Sequence, residues 1–178
     1  MSSTTNDNKL LKQIAVVIVD NPRSNMKELA ESVGISKATL HRFYGTRENL
    51  ENILMEKASE SVEDIISICE REFNDYREGV RLLIQSHYEN KEFLTFVCGY
   101  QYCSEDKYWG SYFKALDTFF LNGQKSGAVR IDISVSALTE LFVASFSGMI
   151  DAERRGRVAS SSMLETLENF FLYGSLNK

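Results

Sequence analysis

The sequence is poor in the residues that interrupt helices. It has one proline and ten glycines among 178 residues. Proline removes a backbone donor and clashes inside a helix, and glycine lowers helix stability. Their scarcity argues against many short strands joined by turns and favours long helices. The hydrophobic share of 43% and the charged share of 25% are ordinary for a soluble globular protein.

Features of secreted and membrane proteins are also scarce. Three cysteines, an odd number, do not suit a disulfide scaffold in a chain of this size. The polar start, residues 1–9, lacks the apolar stretch of a secretory signal. The longest apolar run, residues 14–19, is far shorter than the roughly 20 residues that a membrane helix needs. We therefore expect a cytoplasmic protein with no membrane contact, and neither a cofactor nor a metal site.

Charge is unevenly distributed. The net charge is −5, but residues 1–50 hold seven Lys/Arg against five Asp/Glu, whereas the remainder holds thirteen against twenty. An acidic body is repelled by DNA, so any binding to DNA has to be local, through the N-terminal part.

The beginning of the chain predicts a helix after a polar tail. After Met1, residues 2–8 are all Ser, Thr, Asn or Asp, and residues 1–8 are expected to fray. Apolar residues follow at helical spacing over residues 9–21, although four consecutive β-branched residues, 16–19, would also suit a strand. Pro22 ends this segment.

Local signals then define two short helices. Asn25 and Glu28 have the spacing of a capping box. Gly34 suits a left-handed turn between two helices, and Ser36 can cap the second one. Thr46 can cap a fourth, longer helix.

The whole chain is predicted to be all-α, with about nine helices. An N-terminal three-helix domain, residues 1–50, is joined to a C-terminal helical domain, residues 51–178. The later helices are expected at residues 47–69, 76–89, 91–103, 106–125, 134–155 and 160–175.

A helix, a glycine turn and a second helix form the helix-turn-helix arrangement, in which the second helix lies in the major groove. Inner apolar positions would hold the second helix from behind: Leu29, Val33, Ile35 and Leu40. Polar residues are left to project outward: Lys37, Thr39, His41 and Arg42.

Residues 25–50, NMKELAESVGISKATLHRFYGTRENL, resemble the DNA-binding segment of the tetracycline-repressor (TetR) family. The resemblance implies that residues 1–50 bind DNA through the helix-turn-helix. It also implies that the C-terminal domain, residues 51–178, dimerises and contains an effector cavity. The matching residues are Glu28, Leu29, Ala30, Gly34, Ser36, Lys37, Thr39, Leu40, Arg47, Glu48 and Leu50. Three positions depart from the family pattern, because its Tyr, His/Tyr and Phe are His41, Phe43 and Tyr44 here. A phosphate contact would then come from His41 or Tyr44.

Chemistry suggests roles for individual residues. Lys37 suits guanine O6 and N7, and the methyl groups of Thr39 and Ala38 suit the thymine methyl. Polar residues at helix starts suit phosphates, as do cations. The alternative for a lone Lys or Arg is a solvated surface charge, and Ser36 and Thr46 can cap helices as well as contact DNA. The candidate DNA-binding residues are Asn25, Lys27, Ser36, Lys37, Ala38, Thr39, His41, Arg42, Phe43, Tyr44, Thr46 and Arg47.

Two apolar stripes near the C-terminus exceed what one core needs and predict a homodimer interface, although a purely internal core is the alternative. The predicted interface residues are Leu138, Phe142, Ser145, Met149, Leu164, Leu167 and Phe171. Leu141 and Gly148 lie beside the first stripe.

Residues 93–120 are rich in aromatic side chains, which suit an apolar or aromatic effector but also ordinary packing. The candidate ligand-binding residues are His87, Phe96, Tyr100, Trp109, Tyr112, Phe113, Leu116 and Phe146.

No phosphate loop, nucleophile elbow or catalytic carboxylate cluster occurs in the sequence, so we expect no enzyme. We predict a transcriptional regulator, in its commonest form a repressor that binds palindromic double-stranded DNA as a homodimer and is released by a small molecule. A helical small-molecule-binding or adaptor protein without specific DNA binding is the alternative.

Overall fold

The computed structural model describes residues 2–99 and 106–176; the side chains of residues 2–6 and 106–108 are not considered. These residues form nine α-helices, and the single β feature among them is an isolated bridge between Val129 and Leu176. The all-α prediction is confirmed. The helices are α1 (Ser2–Asp20), α2 (Met26–Ser32), α3 (Lys37–Tyr44), α4 (Arg47–Cys69), α5 (Tyr76–Glu89), α6 (Lys91–Gly99), α7 (Asp106–Lys125), α8 (Val135–Arg154) and α9 (Ser160–Gly174).

Two compact units divide the described chain. The first comprises residues 2–61 and 92–99, and the second comprises residues 62–91 and 106–176. Helix α4 therefore contributes to both units, and α6 belongs to the first although it follows α5 in sequence. The unit that contains the helix-turn-helix is thus larger than residues 1–50.

The first unit is built around one apolar core, to which α1, α2, α3, α4 and α6 all contribute. Its fully buried residues include Ile14, Ile18, Leu29, Leu40, Leu50, Leu54, Phe93 and Phe96. Residues 16–19 lie in α1 despite their β-branched side chains, because burial against the other helices outweighs intrinsic propensity.

Helix α1 starts earlier than predicted. It begins at Ser2, whereas the sequence suggested a frayed tail over residues 1–8. A long-range hydrogen bond links this segment to the rest of the unit, since the Tyr44 hydroxyl donates to the Asp7 carboxylate. Composition alone could not reveal a partner 37 residues away.

The second unit is centred on aromatic rings from α5, α7, α8 and α9. The Phe142 ring lies 6.1 Å from that of Phe120 and 5.0 Å from that of Phe171, measured between centroids. Four of the seven predicted interface residues are consequently core residues of the protomer rather than interface residues: Leu138, Phe142, Leu167 and Phe171, each at most 3% exposed. Their side chains are already used in internal packing.

Helix α8 is long and apolar enough to cross a membrane by length and composition, with a mean hydropathy of 1.3. This is weak support for a span, since core helices of soluble proteins pass the same test. Only 22% of the apolar window is buried, however, so much of α8 remains uncovered in the protomer.

Candidate DNA-binding surface and buried aromatic cluster

Helix α3 has one buried side and one exposed side. Leu40 and Tyr44, a turn apart, are buried against the first unit's core. The side chains of five candidate residues are exposed, and that of Thr39 is half-buried. The five are Lys37, Ala38, His41, Arg42 and Phe43. The predicted reader therefore has the required amphipathic form.

The turn that orients α3 matches the sequence signals. Asn25 caps α2, accepting from the amides of Lys27 (2.9 Å) and Glu28 (3.2 Å), while the Asn25 amide donates to the Glu28 carboxylate at 2.8 Å. Gly34 has a φ of +74°, in the region that favours glycine. The predicted capping box and glycine turn are confirmed.

Both ends of α3 are held by side-chain hydrogen bonds. At its start, the Ser36 hydroxyl accepts from the Thr39 amide at 3.0 Å and shares a 2.9 Å hydrogen bond with the Thr39 hydroxyl. At its end, Asn49 donates from Nδ2 to the Tyr44 carbonyl at 2.9 Å, and the Thr46 hydroxyl accepts from the Asn49 amide at 3.2 Å. The polar atoms of Asn25, Ser36 and Thr46 thus already have structural partners.

The exposed cations of α3 have no carboxylate close to them in the part of the chain that the structure describes. Within the described residues, neither Lys37 nor Arg42 forms an ion pair with a carboxylate. Lys27, by contrast, lies 3.8 Å from Glu31. The positive charge of α3 is therefore available to a partner that is negatively charged or rich in acceptors.

Tyr44 does not fit its predicted role. Its side chain is 4% exposed, and its hydroxyl donates to Asp7. Burial and the neighbouring Asp7 carboxylate both raise the pKa of Tyr44. The predicted phosphate contact at this position is wrong, because the hydroxyl is already used within the unit. Of the two alternatives, His41 is the exposed one.

Arg47, a predicted phosphate contact, has a structural role within the first unit. Its guanidinium donates to the Ser24 carbonyl at 2.6 Å and to the Pro22 carbonyl at 3.5 Å, and it pairs with the Glu51 carboxylate. These contacts fasten the turn between α1 and α2 to the start of α4. The side chain is 23% exposed, so the contacts are partly shielded from solvent.

Replacement of Arg47 tests this assignment. Arg47→Ala should lower the free energy of unfolding by about 1–3 kcal/mol, because two carbonyls and one carboxylate lose a charged donor. Arg47→Lys should recover only part of the loss, since an ammonium cannot reproduce the planar fork. Urea denaturation gives the values, and Arg23→Ala, an exposed residue in the same segment, is the matched control. Unchanged stability with lost DNA binding would restore the predicted phosphate contact.

His87 is the polar centre of the second unit. Its side chain is buried, with Nδ1 2.7 Å from the Leu83 carbonyl and Nε2 2.8 Å from the Tyr112 hydroxyl. Its ring lies 5.0 Å from that of Phe142 and 5.2 Å from that of Phe146. We call His87, Tyr112, Phe142 and Phe146 the aromatic cluster.

The two hydrogen bonds determine the tautomer of His87. A carbonyl oxygen only accepts, so Nδ1 carries the proton and donates to Leu83. In the neutral ring Nε2 then accepts from the Tyr112 hydroxyl. Burial lowers the pKa of His87 from 6.5 to about 4, and the bond to the Leu83 carbonyl offsets this only in part. The ring is therefore neutral at physiological pH.

The lowered pKa of His87 predicts acid sensitivity. Between pH 6.5 and about 4 the unfolded chain binds a proton at His87 that the folded chain excludes, so the free energy of unfolding falls as the pH falls. The loss attributable to this group should reach about 3 kcal/mol at pH 4 and vanish above pH 6.5. Denaturation of the wild type and of His87→Gln at several pH values measures it.

The matched control for this experiment is His41→Gln, which removes the chain's other histidine, an exposed one. It should keep the pH dependence of the wild type. If His87→Gln also kept it in full, the buried neutral imidazole would not be its source.

The remaining predicted ligand residues separate into three groups. Trp109 and Phe113 are half-buried beside the cluster, with the Trp109 ring 5.5 Å from that of Tyr112, and Leu116 is buried one turn further along α7. Phe96 is buried in the core of the first unit and does not belong to this group. Tyr100 lies outside the described residues. Phe142, a predicted interface residue, packs in the aromatic cluster against His87.

A different set of apolar side chains is exposed on α8 and α9. Leu141 is 48% exposed, Phe170 56% and Tyr173 79%. Ala144 and Gly148 follow Leu141 at helical spacing and are also exposed. Of the predicted interface residues, Ser145, Met149 and Leu164 are half-buried. The helical periodicity of α8 already indicates this second apolar side, since Leu141 and Gly148 lie beside the stripe that contains Phe142.

Comparisons with known proteins agree with the geometry of the first unit. Residues 5–44, which cover most of α1 and all of α2 and α3, match the family described as winged helix-turn-helix DNA-binding. The chain is 46% identical over 184 residues to the HTH-type transcriptional regulator NfxB of Pseudomonas aeruginosa, covering 99% of this chain and 98% of that protein. This chain is an HTH-type transcriptional regulator. The predicted function of a DNA-binding transcriptional regulator is confirmed, and the alternative of an adaptor without DNA binding is set aside.

Solved structures show the same fold at low sequence identity. The TetR-family regulator PfmR of Thermus thermophilus superposes with a TM-score of 0.63 at 19% identity, over 93% of this chain and 97% of that one. A regulator from Saccharomonospora viridis in complex with choline has a TM-score of 0.63 at 15% identity, over 99% of this chain and 100% of that one. The TetR-type fold predicted from the sequence is therefore present.

The β-wing that this family description names is not found among the described residues. The described residues contain no β-strand, and the match ends at Tyr44, where α3 ends. This chain shares the helical part with the matched family, and that is the part that contacts DNA in a helix-turn-helix.

Proposed function

We propose that this regulator is a homodimeric repressor, located in the cytoplasm, that binds a palindromic operator through α3 and is released by a small molecule. The observation that supports this most directly is the exposed side of α3, with Lys37 and Arg42 unpaired among the described residues. An eight-residue helix reads few base pairs, so specificity has to come from two copies on two half-sites.

Roles within α3 follow from position and chemistry. Lys37 and Ala38 begin the helix, the end that points at base edges in a helix-turn-helix. Arg42 lies one turn after Ala38 on the exposed side and is suited to guanine O6 and N7. His41 lies one turn after Lys37, and we assign it the phosphate contact that buried Tyr44 cannot make.

Selection from a random duplex library, followed by sequencing, tests this function. We expect a palindrome with half-sites one helical turn, roughly 34–36 Å, or a multiple apart. Arg42→Ala and Lys37→Ala should each weaken binding to the selected duplex by about tenfold to a hundredfold and leave the melting temperature nearly unchanged. Lys114→Ala, an exposed cation on α7, is the matched control.

Salt dependence separates the two kinds of contact in this experiment. Loss of a base contact relaxes the selected sequence at one position, whereas loss of a phosphate contact lowers the slope of log K against log salt by about one. Wild-type affinity retained in both variants would remove α3 as the reader.

The exposed apolar sides of α8 and α9 support dimerisation. Leu141, Ala144 and Gly148 on α8, with Phe170 and Tyr173 on α9, form what we call the dimer face. Small residues let a partner helix approach closely, and an uncovered apolar surface of this kind typically marks a protein interface. This face replaces the buried residues that the sequence suggested.

Gly148 offers a selective test of the dimer face. A Cβ added there meets no atom within 4 Å in the protomer, so Gly148→Arg should fold and even gain helix propensity. It should nevertheless shift the sedimentation coefficient from dimer to monomer, because the new side chain occupies the partner's position. Gly110→Arg on α7, where a Cβ is equally unobstructed, should remain dimeric. A dimeric Gly148→Arg would place the interface elsewhere.

The aromatic cluster supports an apolar or aromatic effector. Half-buried Trp109 and Phe113 contact Tyr112, whose hydroxyl is hydrogen-bonded to His87. Aromatic walls with few polar groups suit such molecules. Helix α4, continuous from one compact unit into the other, provides the mechanical connection through which occupancy would shift the readers. Since Trp109 is the chain's single tryptophan, its fluorescence is the measurement that screens small molecules for binding.

A further inference from the structure

Phe43 is exposed without a structural reason. Its side chain is 54% exposed, and among the large apolar side chains exposed in the described residues it is the one on α3. The core contacts of α3 come from Leu40 and Tyr44, so the fold of the first unit does not require a phenylalanine here. On a helix that is proposed to enter the major groove, such a side chain is placed where it could make an apolar contact with DNA.

The ring is held in position rather than free. The Arg42 guanidinium lies over it, 5.1 Å from the ring centroid, and the Tyr44 ring packs edge-on against it at 6.0 Å between centroids. Tyr44 is itself fixed by burial and by its bond to Asp7. A side chain supported on two sides loses little conformational freedom when it binds.

Phe43 also belongs to an apolar strip along an otherwise polar helix. Thr39 lies four residues earlier, one turn away on the same side, and its hydroxyl is hydrogen-bonded to that of Ser36, so its methyl is the group without a polar partner. Ala38 adjoins it. In the major groove the base edges present donors and acceptors, and the one apolar group is the C5-methyl of a pyrimidine, which unmodified DNA carries on thymine.

We propose that Phe43 is a specificity-determining residue that reads a thymine in each half-site by packing its ring on the C5-methyl group, with Arg42 stacked on the ring as its support. This rests on the proposed role of α3 as the reader. It gives α3 an apolar reading function in the position where the TetR-like pattern has a polar His or Tyr.

Deoxyuridine tests the proposal, because it removes the methyl and keeps the base pair. In the duplex selected by the wild type, each thymine is replaced singly by deoxyuridine. Wild-type affinity should fall about fourfold at the contacted thymine. Phe43→Ala should bind the unmodified duplex about that much more weakly and be indifferent to deoxyuridine at that position. Phe43→Leu, still apolar, should keep part of the discrimination.

Two further arms complete the experiment. Cytosine and 5-methylcytosine at the same position distinguish the methyl group itself from the thymine base, and the methylated form should bind better. Leu121→Ala, which removes another exposed apolar side chain, on α7, should behave as the wild type at every position.

The outcomes are distinguishable. If Phe43→Ala keeps the wild-type discrimination at every thymine, or binds all duplexes as the wild type does, the Phe43 role is wrong while α3 remains the reader. A selected sequence without thymine would have the same meaning. If the wild type selects no sequence, both the reader role of α3 and the Phe43 role fail.

Discussion

The proposed binding of DNA through α3 depends on how this eight-residue helix is held against the rest of the first unit. A helix as short as α3 is not stable in water by itself, because the few hydrogen bonds it forms do not offset the cost of nucleation. Burial of Leu40 and Tyr44 against the core of the first unit supplies the missing stabilisation and fixes the helix's rotation about its axis. That rotation decides which side chains face outward. With Leu40 and Tyr44 on the buried side, the charged side chains of Lys37 and Arg42 lie on the exposed side.

The same requirement explains why several polar residues that are suited to DNA also have structural roles. Asn25, Ser36 and Thr46 cap helices, and Arg47 fastens the turn that precedes α2. The backbone N–H and C=O groups at the ends of a short helix need hydrogen-bond partners, and capping side chains provide them. Sequence reasoning could not separate the two uses, because a residue that caps a helix and one that binds phosphate are of the same type. The exposed side chains from Lys37 to Phe43 are the ones to which base contacts are assigned in the proposed function.

Local sequence signals predicted most helix bounds well. The features that they missed depend on contacts between residues far apart in the sequence. The bounds predicted for α4, α5 and α7 agree with the structure, since caps and breaks lie within a few residues of each end. The early start of α1 and the place of Phe96 depend on partners far along the chain. Helix α8 has two adjacent apolar sides, and periodicity alone does not say which one is internal. The stripe through Phe142 was therefore assigned to the interface, although the neighbouring side, with Leu141 and Gly148, is the exposed one.

The satisfied state of His87 limits how an effector could act. Both ring nitrogens already have partners, so a purely apolar molecule next to Trp109 and Phe113 would leave no polar group unpaired. A molecule that hydrogen-bonds Nε2 would first have to displace the Tyr112 hydroxyl and then give that buried group a new partner. A ligand changes a conformational equilibrium only by the difference in its affinity for the two states. Since Tyr112 is on α7 and His87 on α5, an effector that separates them would move these helices, whereas one that preserves their bond would have to act through packing alone.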